Sequence, residues 1–589
     1  MRRSSRSLPI LDLLLALVVA VVAAVAVPAA QAAVRTPRAA PLSPAFVAFQ
    51  HNVATTAAHG TAKALVPAPV DSRAWTKAPL ALGPLALATS YDLRDTGKLS
   101  PVRDQGAYNT CWSFASLASL ESYLLPGDLE NFSEDNLAMA AAGDFDFGFN
   151  GGGNYQMATA ELTRWNGPVA ETSDPYDAKF VAGLSPIEHV QNVLFLPDRT
   201  GPTDNDTIKY AVENYGAVYA SIYADSGMSS SSTSPYFNAA NDSYYYDGLA
   251  AADHAIDIVG WDDDYARTNF ATTPADNGAF IVRNSWGPGW GDGGYFHVSY
   301  DDVEIGHGMA VFQGEPTTDY AQNFGYDKLG FTDEYGYSSS PTPNTAWMAA
   351  DFVPRGDSFL GAASFYAQSP NTVYDIYLAS SLNDHSTWSE MASGTVAAAG
   401  YHTIPFATQP KAAAGLRFYM IVELTSPTTT WPIAVEDAEP GYSSKATAAA
   451  GESYISADGS SRSWFDCGAH DGVTVCLRVF AGEPTPDAIA PVTKALAAVK
   501  VTRGRYATLR YRVTDATAND KEKVTIKIHN RAGRVVKTFA LGWCAPNLAR
   551  SVRYHCTLAR GTYHYYVYAT DFWGNPQKSV GHAALTVKK

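Results

Sequence analysis

From about Glu315 to the C-terminus the helical signals fade, and that change constrains the fold more than any other feature of this 589-residue chain. Residues 319–483 carry short strand-like runs separated by turn residues: Phe365-Tyr366-Ala367, Val373 to Leu378, Phe418 to Leu424, and Val473 to Phe480. Short β-branched and aromatic runs at that spacing predict a β-sandwich. Glu483-Pro484-Thr485-Pro486 reads as a linker. Residues 487–589 predict a second sandwich, with strands at Ala507 to Val513, Val524 to Ile528 and Tyr563 to Ala569. Its turns fall at Arg531-Ala532-Gly533 and Trp573-Gly574-Asn575. No internal repeat of fixed period is visible.

Upstream of Glu315 helix comes first and sheet later. Tyr91-Asp92-Leu93-Arg94 opens a compact region. Cys111 to Leu125 carries Trp112, Phe114, Ala115, Ala118 and Tyr123, which suits a buried helix, and Pro126-Gly127 ends it. Ala255 to Trp261 and Gly278 to Asn284 read as two strands of a buried sheet. Helix followed by sheet predicts an α+β domain over residues 89–315. Residues 33–88, rich in Ala and Pro with weak periodicity, read as a loosely structured leader or propeptide-like arm. Residues 1–32 read as a signal peptide. Arg2, Arg3 and Arg6 precede an apolar run from Leu13 to Val27, and Ala30-Gln31-Ala32 supplies the cleavage pattern. No second run of spanning length follows, so the expectation is a secreted chain, cleaved near Ala32, without a transmembrane segment.

Hydrophobic content of 46% against 17% charged residues supports real cores. The net charge of −16 argues against a nucleic-acid partner. No H-E-x-x-H or Cys/His ligand spacing occurs, so neither a metal nor a cofactor is expected. There are five cysteines. In an exported protein they tend to pair, and Cys467 with Cys476 and Cys544 with Cys556 form two close pairs. Cys111 is left over, as a reactive thiol or an intermolecular partner.

A thiol hydrolase needs a thiolate stabilised by a helix N-terminus and an imidazolium, a base held by a third group, and donors aimed at the oxyanion. Cys111 starts the expected helix. Gln105 precedes it in Asp104-Gln105-Gly106, where a turn can swing an amide donor toward the reacting carbonyl. His254 opens one strand and Asn284 closes another, followed by Ser285-Trp286-Gly287. Taken singly, each has a bland reading as core packing, cap or turn residue. Together they match one mechanism.

Pro101-Val102-Arg103-Asp104-Gln105-Gly106 with Cys111-Trp112-Ser113-Phe114-Ala115 resembles the nucleophile segment of the papain/cathepsin family. Asp253-His254-Ala255 with Val259-Gly260-Trp261 resembles its histidine segment. Asn284-Ser285-Trp286-Gly287, Gly289-Trp290-Gly291 and Gly293-Gly294-Tyr295 resemble its asparagine segment. The resemblance implies Cys111 as nucleophile, His254 as base and acid, and Asn284 as its orienter. Gln105 and the Cys111 N–H would form the oxyanion hole, and Trp286 would cover the Asn–His bond. It also implies that Gly151-Gly152-Gly153 receives the substrate backbone as an added strand, with Asp253, Ala255 and Trp290 nearby. His254 falls 143 residues after Cys111, within the family's ~130–150. Asn284 falls 173 after it, which points to an insertion in residues 262–277.

Two departures stand out. Tyr108 replaces the family's cysteine three residues before the nucleophile, and its partner cysteine near residue 150 is absent too. That loses a covalent staple often worth ~2–4 kcal/mol without touching the triad. Residues 319–483 are similar to the lectin-like module that follows the peptidase in prokaryotic members, which implies cell-surface glycans as possible partners beside protein or peptide substrates. Residues 487–589 resemble exported bacterial immunoglobulin-like modules. The implied function is a secreted cysteine endopeptidase working through a thioester. The alternatives are an inactive adhesion protein on the same fold and a thioester transpeptidase.

Overall fold

The computed structural model describes residues 35–56, 65–71, 87–228, 233–338, 340, 342–482, 490–515, 522–544, 546–571 and 574–589. The signal-peptide segment, the linker at 483–486 and Trp573 lie outside them.

The described parts of the 33–88 segment correct the expectation of a loose arm. Arg38–Ala39 forms strand β1 and Pro44–Thr56 forms helix α1. Phe46 and Phe49, one helical turn apart, share a face. Phe46 is fully buried, edge-on to Tyr442 with ring centroids 5.8 Å apart, and Phe49 meets Phe147 at 6.2 Å. Packing of this one face outweighs the weak periodicity of the segment. β1 adds an edge to the short sheet containing Asp333–Gly336, with Ala39 opposite Tyr335.

Helix α2 (Cys111–Leu124) is buried on nearly every side. Its serines are tolerated there because each hydroxyl has an acceptor. Ser113 and Ser116 bond back to Thr110 O and Trp112 O at 2.9 and 2.7 Å, and Ser119 reaches Ala217 O at 2.8 Å. Helices α3 (Glu134–Asp144) and α4 (Tyr155–Thr163) pack against it. Ser133 caps α3 by accepting the Asn136 N–H at 3.0 Å, and Asn154 caps α4 through the Met157 N–H at 2.9 Å.

Strands β2 (His189–Leu196), β3 (Val218–Ile222), β4 (His254–Asp262), β5 (Ala279–Arg283), β6 (Tyr295–Ser299) and β7 (Met309–Glu315) form the sheet facing these helices. Their order is β2-β7-β3-β4-β5-β6, and β4 and β5 pair from Asp257↔Arg283 to Asp262↔Ala279. The stretch where an insertion is expected is the loop between those two strands. It carries one short helical turn, Arg267–Asn269.

The following region is mostly strand, as expected, with one α-helical turn at Cys467–His470, but it is not a detached sandwich. Strands β8 (Ser358–Ala367), β9 (Ala399–Pro405) and β10 (Leu477–Gly482) continue the peptidase sheet, giving 14 strands in one hydrogen-bonded layer. The seam is β9 on β2, from Ala399↔Phe195 to His402↔Asn192. Pairing here removes the exposed edge that β2 would otherwise present. Gly400 makes it possible. A Cβ at this position would stand 2.9 Å from Phe195 N and closer still to the Val193 carbonyl. A separate six-stranded sheet covers the other side of this module.

The C-terminal region forms a three-stranded sheet of β11 (Val492–Ala495), β12 (Tyr506–Thr514) and β14 (Ala549–His555). Opposite lies a five-stranded sheet that includes β13 (Glu522–His529) and β15 (Gly561–Asp571). The two enclose a core around Leu509, Tyr511, Ile526, Tyr565 and Leu585.

The expected disulfides are not formed: all five thiols are free and buried. Cys467 and Cys476 point into different cores, the first among Phe465 and Val473, the second beside Tyr366 and Tyr401. Cys544 and Cys556 share one core, but each thiol meets a tyrosine hydroxyl instead, Tyr511 at 3.7 Å and Tyr554 at 3.6 Å. These cysteines behave as small apolar residues.

Candidate active site

The first turn of α2, the start of β4 and the end of β5 converge. Cys111 is the first residue of α2, so its N–H has no partner within the helix. His254 begins β4, and Asn284 follows the last residue of β5. His254 Nε2 lies 2.8 Å from Asn284 Oδ1. That oxygen also accepts the Ser285 N–H at 2.8 Å, which fixes the orientation of the amide. Nε2 therefore carries the proton, and Nδ1 is left as the acceptor. Trp286 stacks on the imidazole with centroids 4.8 Å apart, shielding the bond from water.

The Cys111 thiol accepts the Ala255 N–H at 3.3 Å and makes no hydrogen bond to His254. It is fully buried, which pushes its pKa up to about 12. The nearby Asp253 charge raises it further, and backbone N–H groups pull against both. Burial pushes His254 down to about 4, partly offset by the bond to Asn284. Both groups are neutral in this covered state.

Gln105 is held at both ends of its amide. Ser285 Oγ donates to its Oε1 at 2.6 Å, and its Nε2 donates to Tyr108 O at 2.7 Å. One N–H remains to point at a reacting oxygen. The loop carrying Gln105 is tied to the loop carrying Asn284 by Gln105 N–H to Ser285 O at 2.8 Å and Gly287 N–H to Arg103 O at 3.0 Å. Arg103 anchors this crossing through 2.6 Å ion pairs to Glu121 and Glu134. The motifs contain Ser285 and Arg103 but give neither a role. Their functions depend on loops far apart in sequence.

The glycine stretch is structurally required. A Cβ on Gly153 would sit 2.7 Å from Trp112 Nε1, and Gly152 has φ +82°. The leader passes directly over it. Val66 N–H donates to Gly153 O at 3.0 Å, and Asn154 Nδ2 donates to Val66 O at 2.9 Å. Phe46, Val66 and Val70 belong to the same buried cluster as Cys111. Asp253 accepts the Ala224 N–H at 2.8 Å, which shapes the approach to His254. The expectation that Trp290 borders the substrate needs correction. It is buried, edge-on to Trp286 at 5.0 Å and donating to Met228 O at 3.3 Å, so it supports Trp286 from below.

Tyr108 and Phe149 occupy the place of the missing staple. Their rings meet edge to face at 5.1 Å, and Tyr176 joins them at 6.2 Å. Such a pair contributes ~0.5–1.5 kcal/mol beyond its burial, less than a disulfide.

This constellation defines a class. Residues 87–313 match the model of the papain family cysteine protease, and residues 324–481 match that of the lectin like domain. The chain carries a papain-family cysteine peptidase domain continued by a lectin-like domain. Over the peptidase part it is 28% identical to ananain of Ananas comosus, covering 38% of this chain and 60% of that protein. It is likewise 28% identical to human cathepsin L2, covering 37% of this chain and 62% of that protein. The chain thus spans about 60% of the length of these curated relatives. Among solved structures it is similar to the cysteine protease and lectin-like domains of Cwp84, a surface layer associated protein of Clostridium difficile. That match has a TM-score of 0.63 at 24% identity, over 76% of this chain and 98% of the other. Cwp84 after propeptide cleavage matches at a TM-score of 0.57 and 25% identity, over 67% of this chain and 100% of that one.

Proposed function

We propose that the protein is a secreted cysteine endopeptidase made as a latent precursor. Cys111 attacks the scissile carbonyl and forms a thioester. His254 first takes the thiol proton, then delivers it to the leaving amine, and finally activates water. Asn284 holds the imidazole tautomer. The Cys111 N–H and the remaining Gln105 N–H receive the oxyanion. Gly151, Gly152 and Gly153 take the substrate backbone as an added strand, bordered by Ala255. The observation that carries this reading is the 2.8 Å His254–Asn284 bond beneath Trp286, at the N-terminus of the helix that begins with Cys111.

Latency follows from the leader. Its Val66 occupies the hydrogen-bonding edge of Gly153, and the thiol beneath is fully buried and protonated. Removal of the leader clears that edge and lets water and substrate reach the thiol. Among the described residues no helix is long and apolar enough to cross a membrane. The lectin-like module, joined to the peptidase through a continuous sheet, holds a glycan-bearing surface at a fixed distance from the cleft. The test is incubation of the leader-free protein with a mixed peptide library. Cleavage that disappears in Cys111→Ala, with the circular dichroism unchanged, supports the assignment. Equal cleavage by that variant refutes it.

A further inference from the structure

The whole-chain charge of −16 conceals two parts of opposite sign. Residues 487–589 hold 18 lysines and arginines against 5 aspartates and glutamates, whereas the preceding residues hold 24 against 53. Of the five acidic residues, Asp487 and Asp520 lie outside the described residues, and Asp515, Glu522 and Asp571 are buried. Every charged side chain exposed on the described surface of this domain is therefore a cation.

Few of these cations are engaged. Lys537 lies 3.9 Å from Glu213 and Arg550 lies 3.9 Å from Asp128, both carboxylates belonging to the peptidase domain. Arg553 donates to the Asp95 carbonyl at 2.7 Å and covers the Tyr506 ring at 4.3 Å. These contacts seat one edge of the domain on the peptidase. The outer face of the three-stranded sheet continues beyond them. There Lys494 stands directly opposite Arg512 across β11 and β12, and Arg510 follows on the same face. All three are exposed, and none is in an ion pair among the described residues. Like charges placed opposite each other cost stability. The neighbours on this face are the hydroxyls of Thr508, Thr514 and Ser551, the apolar Val492 and Ala549, and the further cation Arg553, with no carboxylate among them.

We propose that this domain binds a linear polymer carrying a phosphodiester in each non-aromatic repeat, and that Lys494, Arg510 and Arg512 form its site. The two arginines stand about 6.8 Å apart along the strand, and the lysine lies about 5 Å across from one of them. Charges at that interval suit an extended backbone with one anion per repeat. The guanidinium fork holds two oxygens of one phosphate, and the Thr508 and Ser551 hydroxyls donate to those left over. A single-stranded nucleic acid fits less well, because the face offers its bases no stacking platform. Its two rings, Tyr506 and His555, meet each other edge to face at 5.5 Å, and Tyr506 already lies beneath Arg553. The domain would hold the peptidase at an anionic surface independently of catalysis.

The experiment measures binding of the full chain to immobilised poly(glycerol phosphate) between 50 and 200 mM salt. Three engaged phosphates predict that affinity falls about 20-fold across that range. The triple variant Lys494→Gln, Arg510→Gln, Arg512→Gln should bind at least tenfold more weakly at 50 mM. It should also lose a salt slope of about 2, with a melting temperature no lower than the parent's. Undetectable binding at 50 mM salt, or a variant that binds like the parent, overturns the proposal. So does equal affinity for polyglutamate of matched charge, or tighter binding to a single-stranded oligonucleotide. If the three cations instead meet the acidic part of a second copy, sedimentation will show self-association that the triple variant abolishes without any effect on polymer binding. That result would also overturn the proposal.

Discussion

Phe46→Ala should unlatch the precursor. Phe46 is fully buried on the leader side of the cleft and is held by Tyr442. Truncating a buried phenylalanine removes about 3–5 kcal/mol. The leader can open while the rest of the chain stays folded, so this loss moves the covered and open populations directly. At about 1.4 kcal/mol per tenfold, the open fraction rises about 150- to 4000-fold, up to the point where the leader is mostly open. Cys111 can be alkylated only when uncovered, so its reaction rate reports that fraction. The assay is iodoacetamide labelling of the uncleaved full-length chain at pH 7.5, followed by intact mass. The Cys111→Ser protein serves as the blank for the other four buried thiols. A rate within threefold of the parent would mean that the leader does not control access to the thiol.

Three further outcomes are expected. Ser285→Ala leaves Gln105 Oε1 without its donor and frees the amide to turn; at about 1–3 kcal/mol this lowers kcat roughly 5- to 150-fold with little change in KM, and an unchanged kcat would count against an oxyanion role for Gln105. Gly153→Ala forces a Cβ against the Trp112 indole, so it should lower Tm by several degrees and weaken substrate binding, whereas a neutral result would mean the loop moves freely. Acid should destabilise the fold through its buried histidines. His402 is pushed down to about 4 from an ordinary 6.5 by burial, so the unfolded chain binds a proton that the native state refuses. Its contribution is complete above pH 6.5 and is lost as pH falls toward 4. His402→Gln should therefore flatten the drop in Tm over that window, and a drop as steep as the parent's would contradict the assignment.

The peptidase half was largely legible in the sequence because its chemistry is written in short, ordered motifs. Cys111, His254 and Asn284 each sit at the end of an element whose periodicity is readable, so their placement followed. The second layer was not readable. Ser285 and Arg103 act through loops about 180 residues apart, and nothing in either loop alone reveals the other. The leader helix was not legible because its apolar residues fall on more than one face, with Val47 exposed, and the Tyr442 that buries Phe46 lies in the lectin-like module. Sequence spacing also suggested disulfides for cysteines that the fold turns toward different cores or toward tyrosine hydroxyls. The continuous sheet could not be foreseen, since strand-like runs do not announce which edge they will pair with. Whole-chain charge hid the cationic domain by averaging it with an acidic one.

Everything proposed for this cleft rests on Cys111 being the nucleophile of a peptidase. That role is tested most directly by titrating the leader-free protein with a thiol-directed epoxide while following peptide hydrolysis and intact mass. One label per chain is expected, located on Cys111, with hydrolysis falling to zero in proportion to labelling. Full hydrolysis by a chain labelled on Cys111 would contradict it.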